Sequence, residues 1–152
     1  MTQAAIIQAK CSKKEAEDWA STVSDKLGLS LDEKITPIVA GLHRYGIKTQ
    51  ASCQGHEDWG NSYPWVEIAL SSLDDLKQLF GHTLLKFEVQ EFGVDVDHYA
   101  GLLLPKKVIV KESLTKPHTN YQALNCERNS WQQQLLVVGE KLLDQDSFEI
   151  IA

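Results

Sequence analysis

The sequence predicts an α+β domain in which two N-terminal helices, a short middle helix and a long C-terminal helix pack on a mostly antiparallel sheet. Four segments carry apolar residues at helical spacing, and the segments between them alternate apolar and polar residues. The order is two helices, a hairpin, a helix, two or three strands and a long helix. At 152 residues the chain has the length of a single domain, residues 1–152.

The first helix is predicted over about residues 13–27. Ser12 and Glu15 have the spacing of a capping box, in which the hydroxyl accepts a hydrogen bond from the amide of the third helical residue. Apolar residues then recur on one face, and Gly28 is a suitable residue to end the helix. The residues before Ser12 predict a short strand or a loose lead-in.

A second helix follows, and the capping-box spacing repeats at Ser30. Pro37 lies well inside the apolar stripe and removes one backbone donor. The helix is therefore either kinked at the proline or begins late, near Ile35. His43 and Arg44 fall in the last turn, where positive charge meets the negative end of the helix dipole.

Two strand-like segments, 47–52 and 65–70, flank a loop of twelve residues from Cys53 to Pro64. Both segments alternate in polarity, so we expect them to pair as an antiparallel hairpin with an enlarged loop. Loops of this length without secondary structure are uncommon in compact domains and are more often functional. The loop is therefore the predicted site.

The rest of the chain predicts a short helix capped by Ser72, two strands, a long helix, and a tail that either adds an edge strand or frays. The expected bounds are 73–80, 84–91, 94–104, 121–143 and 147–152. Trp19 and Trp131 stand at helical spacing with aliphatic residues and are predicted to lie in the core.

Composition limits the function. The formal charge of −6 and the pI of about 5.3 argue against general nucleic-acid binding, which depends on Lys and Arg neutralising phosphates. The three cysteines are widely spaced and predict no disulfide framework. No run has the roughly 18 apolar residues of a membrane span, and the N-terminus lacks a signal-peptide pattern. We therefore expect a soluble cytoplasmic protein with no membrane partner.

Cys53 and His56 are the candidate catalytic residues. A cysteine thiolate needs nearby positive charge or amide dipoles, which His56 and the backbone at Gly55 could supply. The same histidine could transfer protons near neutral pH. Gln54 and Gly55 are candidate ligand-binding residues. The alternatives are a buried structural cysteine and a loop histidine that bonds only to backbone.

The C-x-x-H spacing of Cys53 and His56 would also let both side chains contact one metal ion. Two ligands do not make a site, so the sequence assigns neither a metal nor any other cofactor. Further ligands would have to come from elsewhere in the chain. The residues of suitable type are His43, Glu67, His82, Asp95, Asp97 and His98.

Aromatic residues surround the loop. Trp59, Tyr63 and Trp65 could wall a pocket and stack on a planar ligand. They could equally form the loop's own small core around Pro64 and hold a long loop rigid. Both interpretations place them beside Cys53.

One motif in this region resembles a known group. The pattern T-x-x-S-C-x-G-H, followed by P-W-V, comprises Thr49, Ser52, Cys53, Gly55, His56, Pro64, Trp65 and Val66. It resembles a set of small bacterial proteins of no assigned function, over about residues 30–70. A fainter similarity is to the wybutosine-synthesis methyltransferase 3 family of tRNA-modifying proteins, in which S-C-x-G is followed by Arg, where this chain has His56.

Three hypotheses follow. The first is a ligand-binding or catalytic pocket around Cys53–His56 that takes a small polar or anionic molecule. The second is a module without chemistry, in which the loop and the long C-terminal helix form a partner or homodimer surface. The third, implied by the fainter resemblance, is a protein related to RNA modification.

Overall fold

The computed structural model describes residues 5–23, 32–53, 65–81, 83, 85, 87–93, 99–105 and 121–150. Its helices are α1 (Lys13–Thr22), α2 (Thr36–Arg44), α3 (Leu73–Gly81) and α4 (Tyr121–Asp144). Its strands are β1 (Ile6–Gln8), β2 (Thr49–Cys53), β3 (Trp65–Ile68), β4 (Phe87–Gly93), β5 (Tyr99–Pro105) and β6 (Ser147–Glu149). Within the described residues these strands form three antiparallel pairs, β1–β6, β2–β3 and β4–β5. The predicted α+β class is confirmed.

Helix α1 begins as predicted but ends early. The Ser12 hydroxyl accepts a hydrogen bond from the Glu15 amide at 3.1 Å. The predicted end near residue 27 is wrong, because Val23 is already extended, with φ −73° and ψ 134°. The hydroxyls of Ser21 and Thr22 each donate to a carbonyl three residues back, at 2.7 Å. Such local bonds offer the last turn an alternative to continued helix.

Helix α2 begins late, which confirms one of the two predicted alternatives. Ile35 is its N-cap residue and Pro37 lies in the first turn, where a missing backbone donor costs nothing. The amide of Ile35 bonds to the Asp32 carbonyl at 3.2 Å and so forms the turn before the helix. Ser30 lies outside the described residues. Gly46, with φ +79°, provides the turn from α2 toward β2.

Helices α2 and α4 approach each other closely at two glycines. A Cβ atom on Gly139 would lie 2.5 Å from the backbone nitrogen of Ile38, and one on Gly41 would lie 2.7 Å from Cβ of Leu142. Trp131 is buried on α4, as predicted. The largest fully buried side chains are Phe80, Ile35, Ile38, Leu42, Ile47, Ile68, Leu76, Leu79, Leu142 and Val39.

The predicted hairpin is confirmed as the antiparallel pair β2–β3, with an irregularity between Thr49 and Ala51. Its base is tied to α3 through Lys48. The Lys48 amide donates to the Ser72 hydroxyl at 2.9 Å, and the Lys48 carbonyl accepts from the Ala69 amide at 3.0 Å. Ser72 ends a short 3-10 turn that leads directly into α3. This hydroxyl therefore joins the hairpin to the helix.

The first and last strands pair with each other. Ile7 of β1 lies opposite Phe148 of β6, and the Ile150 amide donates to the Ala5 carbonyl at 2.8 Å. The tail thus contains the predicted strand. The first of the two predicted middle strands, β4, continues to Gly93, which pairs with Tyr99 of β5, so this strand extends two residues beyond its expected end at residue 91.

Candidate functional site

The hairpin β2–β3 holds both ends of the predicted site. Cys53 is the last residue of β2, Trp65 is the first residue of β3, and the two are partners in the strand register. Directly opposed residues of antiparallel strands have Cα atoms roughly 4.5–5.5 Å apart. The ends of the loop are therefore held side by side at the end of a paired ribbon.

The core fixes this ribbon in place. Val66 and Ile68 of β3 are fully buried. Val66 pairs with Ser52, the residue before Cys53, and Ile68 pairs with Thr49 at the base of the hairpin. Because apolar residues on one strand are buried at both ends of the pairing, the position of Cys53 is set by core packing.

The structure brings together two of the seven predicted site residues. Cys53 and Trp65 are placed by their strands. The other five lie outside the described residues, and their catalytic or ligand-binding roles stay predictions: Gln54, Gly55, His56, Trp59 and Tyr63.

Metal binding has no further support in the part of the chain that the structure describes. Within it, no three side chains of His, Cys, Asp or Glu are grouped closely enough to hold an ion. Four residues considered as ligands, His82, Asp95, Asp97 and His98, lie outside it, as does His56. The described residues also include no helix long and apolar enough to cross a membrane.

A second polar centre, which the sequence did not predict, surrounds Arg44 at the end of α2. Its Nε donates to the Cys11 carbonyl at 3.1 Å, and its Nη1 donates to the carbonyls of Leu142 and Gln145 at 3.0 and 2.5 Å. Its Nη2 pairs with Oδ1 of Asp146 at 2.5 Å. Besides its expected charge in the last turn of α2, Arg44 caps the end of α4.

An open cleft of about 440 Å³ lies beside Arg44. It is bounded by the β1–α1 connection on one side and by the start of β6 on the other. The residues that line it are Gln8, Ala9, Cys11, Ser12, Arg44, Asp146 and Ser147. Its volume falls within the range of small-molecule pockets.

Burial changes the acid–base behaviour of two neighbours of Arg44. Burial raises the pKa of Tyr45 to about 12, and its hydroxyl donates to the Gln145 carbonyl at 2.6 Å. Burial also raises the pKa of the Cys11 thiol; Glu15 adds to the increase, and Arg44 opposes it. Cys11 is therefore a protonated thiol at neutral pH and lacks the character of a nucleophile.

The charge of His43, next to Arg44, differs from expectation. Its ring stacks on Trp19 of α1 with centroids 3.7 Å apart and an angle of 5° between the planes. Burial lowers the pKa of His43 below its usual value, so the ring is neutral at pH 7. The predicted favourable charge in the last turn of α2 therefore comes from Arg44 alone. Trp19 is half-buried and lies at the edge of the core.

The role of Arg44 had a weak signal in the sequence. Ala40 and Gly41 precede it by four and three residues, so small residues mark a second buried face of α2 beside its aliphatic stripe. All three are buried. An arginine at the end of such a face is positioned to enter an interface. Three of its acceptor residues are about a hundred residues away in sequence and Cys11 is 33 residues away, so no local pattern identifies them.

The outer face of α4 bears on the interaction-module hypothesis. Among the described side chains of this helix, Val137 is the one large hydrophobic that is exposed, at 41%. Single exposed apolar residues are normal on monomeric proteins. The described part of this face, residues 128–144, therefore adds no support for a dimer surface.

Comparison with known proteins gave no match: no family model, curated protein or solved structure is similar to this chain at a significant level.

Proposed function

We propose that the chain binds a small polar or anionic molecule at the open end of the β2–β3 hairpin, with Cys53 and His56 as its reactive or ligand-contacting groups. The observation that supports this most is the register pair Cys53–Trp65. In this pair, the backbone positions of the candidate nucleophile and of one candidate wall residue lie opposite each other on neighbouring strands. A shift of the register would have separated them.

The core packing of the hairpin also favours a site here. A binding site needs its contact residues held by rigid elements. The buried Val66 and Ile68 provide that support on one strand, and the bond from the Lys48 amide to the Ser72 hydroxyl ties the base of the hairpin to α3. Cys53 therefore starts the loop from a fixed position.

Thiol reactivity tests the chemical part of the proposal. We expect Cys53 to react with iodoacetamide faster than Cys11, whose pKa is raised by burial. The rate should depend on pH with a midpoint below the usual cysteine pKa of about 8.5. The measurement uses the full chain with quantitative mass spectrometry of each cysteine peptide. His56→Gln should shift the midpoint upward, because it removes the positive charge that would favour the thiolate.

Cys11 in the same protein serves as the control for Cys53. Cys11 reports general access to the folded chain, so a change at both cysteines indicates altered folding and not altered chemistry. If Cys53 reacts at the rate of an ordinary exposed thiol, and His56→Gln leaves its pH profile unchanged, Cys53 is not an activated nucleophile. Protection of Cys53 by inorganic phosphate at constant ionic strength would further support binding of an anion.

A further inference from the structure

We propose that the cleft beside Arg44 binds a small oxyanion, a carboxylate or a phosphate group, and that the carboxylate of Asp146 occupies this place as an internal competitor when no such anion is bound. The cleft lies at the end of α2, whereas Cys53 is at the far end of β2. The two sites are therefore separate, and this inference does not depend on the proposed role of Cys53.

The Arg44 guanidinium is buried and has more N–H donors than described acceptors. Its side chain is only 6% exposed, so its N–H groups need acceptors other than bulk water. A guanidinium carries five N–H donors. Nε donates one bond, Nη1 donates two and Nη2 donates one. One N–H of Nη2 is therefore left without an acceptor among the described residues, on the nitrogen that contacts Asp146.

Asp146 is the exposed member of this ion pair. Its carboxylate contacts Nη2 through Oδ1, yet its side chain is 92% exposed. The exposed carboxylate loses little when an anion replaces it, because water solvates the carboxylate and the anion supplies the acceptor that the buried Nη2 needs. When Asp146 turns away, Nη2 presents both of its N–H groups. Each of them can donate a charge-assisted hydrogen bond to an oxygen of a carboxylate or phosphate.

The lining of the cleft contains little negative charge. Asp146 is the one acidic residue among the described residues that line it, and Gln8 and Ser147 add neutral polar groups. With Asp146 displaced, the lining carries a buried positive charge and neutral hydrogen-bonding groups. An incoming carboxylate would therefore supply the same single negative charge beside Arg44 that Asp146 supplies, and a phosphate would supply one or two.

Removal of the competitor is the test. Asp146→Asn deletes the negative charge but keeps the size of the side chain. Asp144→Asn is the matched control. It removes the same charge two residues earlier in the chain, from an aspartate that forms an exposed ion pair with Lys13. Each protein is titrated with sodium acetate and, separately, with inorganic phosphate at constant ionic strength. ¹H–¹⁵N spectra follow the Arg44 Nε–H group and the amides of residues 8–12 and 145–147.

We expect saturable shifts at the Arg44 Nε–H group, with binding to Asp146→Asn about fivefold to tenfold tighter than to the wild type, since a partly exposed ion pair no longer competes. The control should bind as the wild type does. The probe that binds more tightly identifies the preferred anion class. An absence of saturable shifts in Asp146→Asn, or an equal gain in Asp144→Asn, would overturn the proposal, the second because it would show only an effect of net charge.

Discussion

Two ion pairs join the C-terminal end of α4 to the N-terminal part of the chain, and they differ in their surroundings. Asp144 pairs with Lys13 of α1 at 2.8 Å; the side chain of Lys13 is 52% exposed and that of Asp144 is 61% exposed. Two residues later, Asp146 pairs with Arg44 of α2, and here the cation is only 6% exposed. The two pairs have similar distances and the same acidic residue type, but one cation lies in water and the other lies between helices.

The difference shows that the other hydrogen-bond partners of the cation contribute more to stability than the ion pair itself. The Lys13 ammonium has one acidic partner and free access to water, and exposed pairs of this kind contribute little to stability. Arg44 bonds in addition to three backbone carbonyls, on the β1–α1 connection and at the end of α4. Without Arg44, the carbonyls of Cys11 and Leu142 would lose this donor in a partly buried region, whereas the Gln145 carbonyl would keep the hydroxyl of Tyr45.

The largest effect is expected from Arg44→Met, which keeps a long side chain but removes the donors. Unpaired carbonyls and the lost connection between α2 and α4 should reduce the free energy of unfolding by about 3 kcal/mol. Urea denaturation measures the change. Lys13→Met is the matched variant at the exposed pair and should leave the unfolding midpoint essentially unchanged. Equal losses in the two variants would contradict the distinction between the pairs.

A smaller effect is expected from Gly139→Ala, which tests whether helix packing positions the Arg44 contacts. The new Cβ would meet the backbone of Pro37 and Ile38 at 2.5 Å, so α2 and α4 must separate. We expect a loss of about 2 kcal/mol, in the range of overpacked sites. Gly81→Ala, where a Cβ meets no atom within 4 Å, is the control and should change stability by less than about 0.5 kcal/mol.

If the helix packing at Gly139 and the bonds of Arg44 depend on each other, the two losses should not add. The double variant Arg44→Met with Gly139→Ala should then lose less free energy of unfolding than the sum of the two single losses, because each change already weakens the same interface. Strict additivity would show that the helix packing and the Arg44 bonds act independently.

The smallest effect is expected from pH, through the neighbour of Arg44. Burial lowers the pKa of His43 in the folded protein below the unfolded value of about 6.5. The neutral ring is therefore favoured by folding, and this stabilisation is present above pH 6.5 and lost as the pH falls below it. His43→Phe keeps an aromatic ring against Trp19 but cannot titrate. The unfolding midpoint of the wild type should fall more between pH 7 and pH 5 than that of the variant. Parallel decreases would exclude His43 as the source.

Local patterns predicted much of the fold. Alternation and a central loop predicted the β2–β3 hairpin, and Pro37 correctly restricted the start of α2. The end of α1 was missed because Ser21 and Thr22 bond to their own helix, which an apolar stripe does not reveal. In the second half of the chain, β4 ends two residues and β5 one residue beyond the expected ends at 91 and 104.

The candidate sites differ in how far the sequence could predict them. Cys53 and Trp65 were identified by residue type and position around an unexplained loop, and their register pairing follows from the hairpin. The Arg44 cleft was not predicted, because it depends on acceptors at Leu142, Gln145 and Asp146. Those contacts exist only once α2 and α4 have crossed, and the crossing is set by tertiary packing.

The pairing of β1 with β6 has a consequence for the order of folding. It joins Ile6 to Glu149 and so closes a loop that contains almost all of the described chain. Closure of long loops carries a large entropic cost, and contacts that are distant in sequence form slowly. We therefore expect this ribbon to form after α2 and α4 have packed. Among the described strand pairs, we expect this one to assemble last.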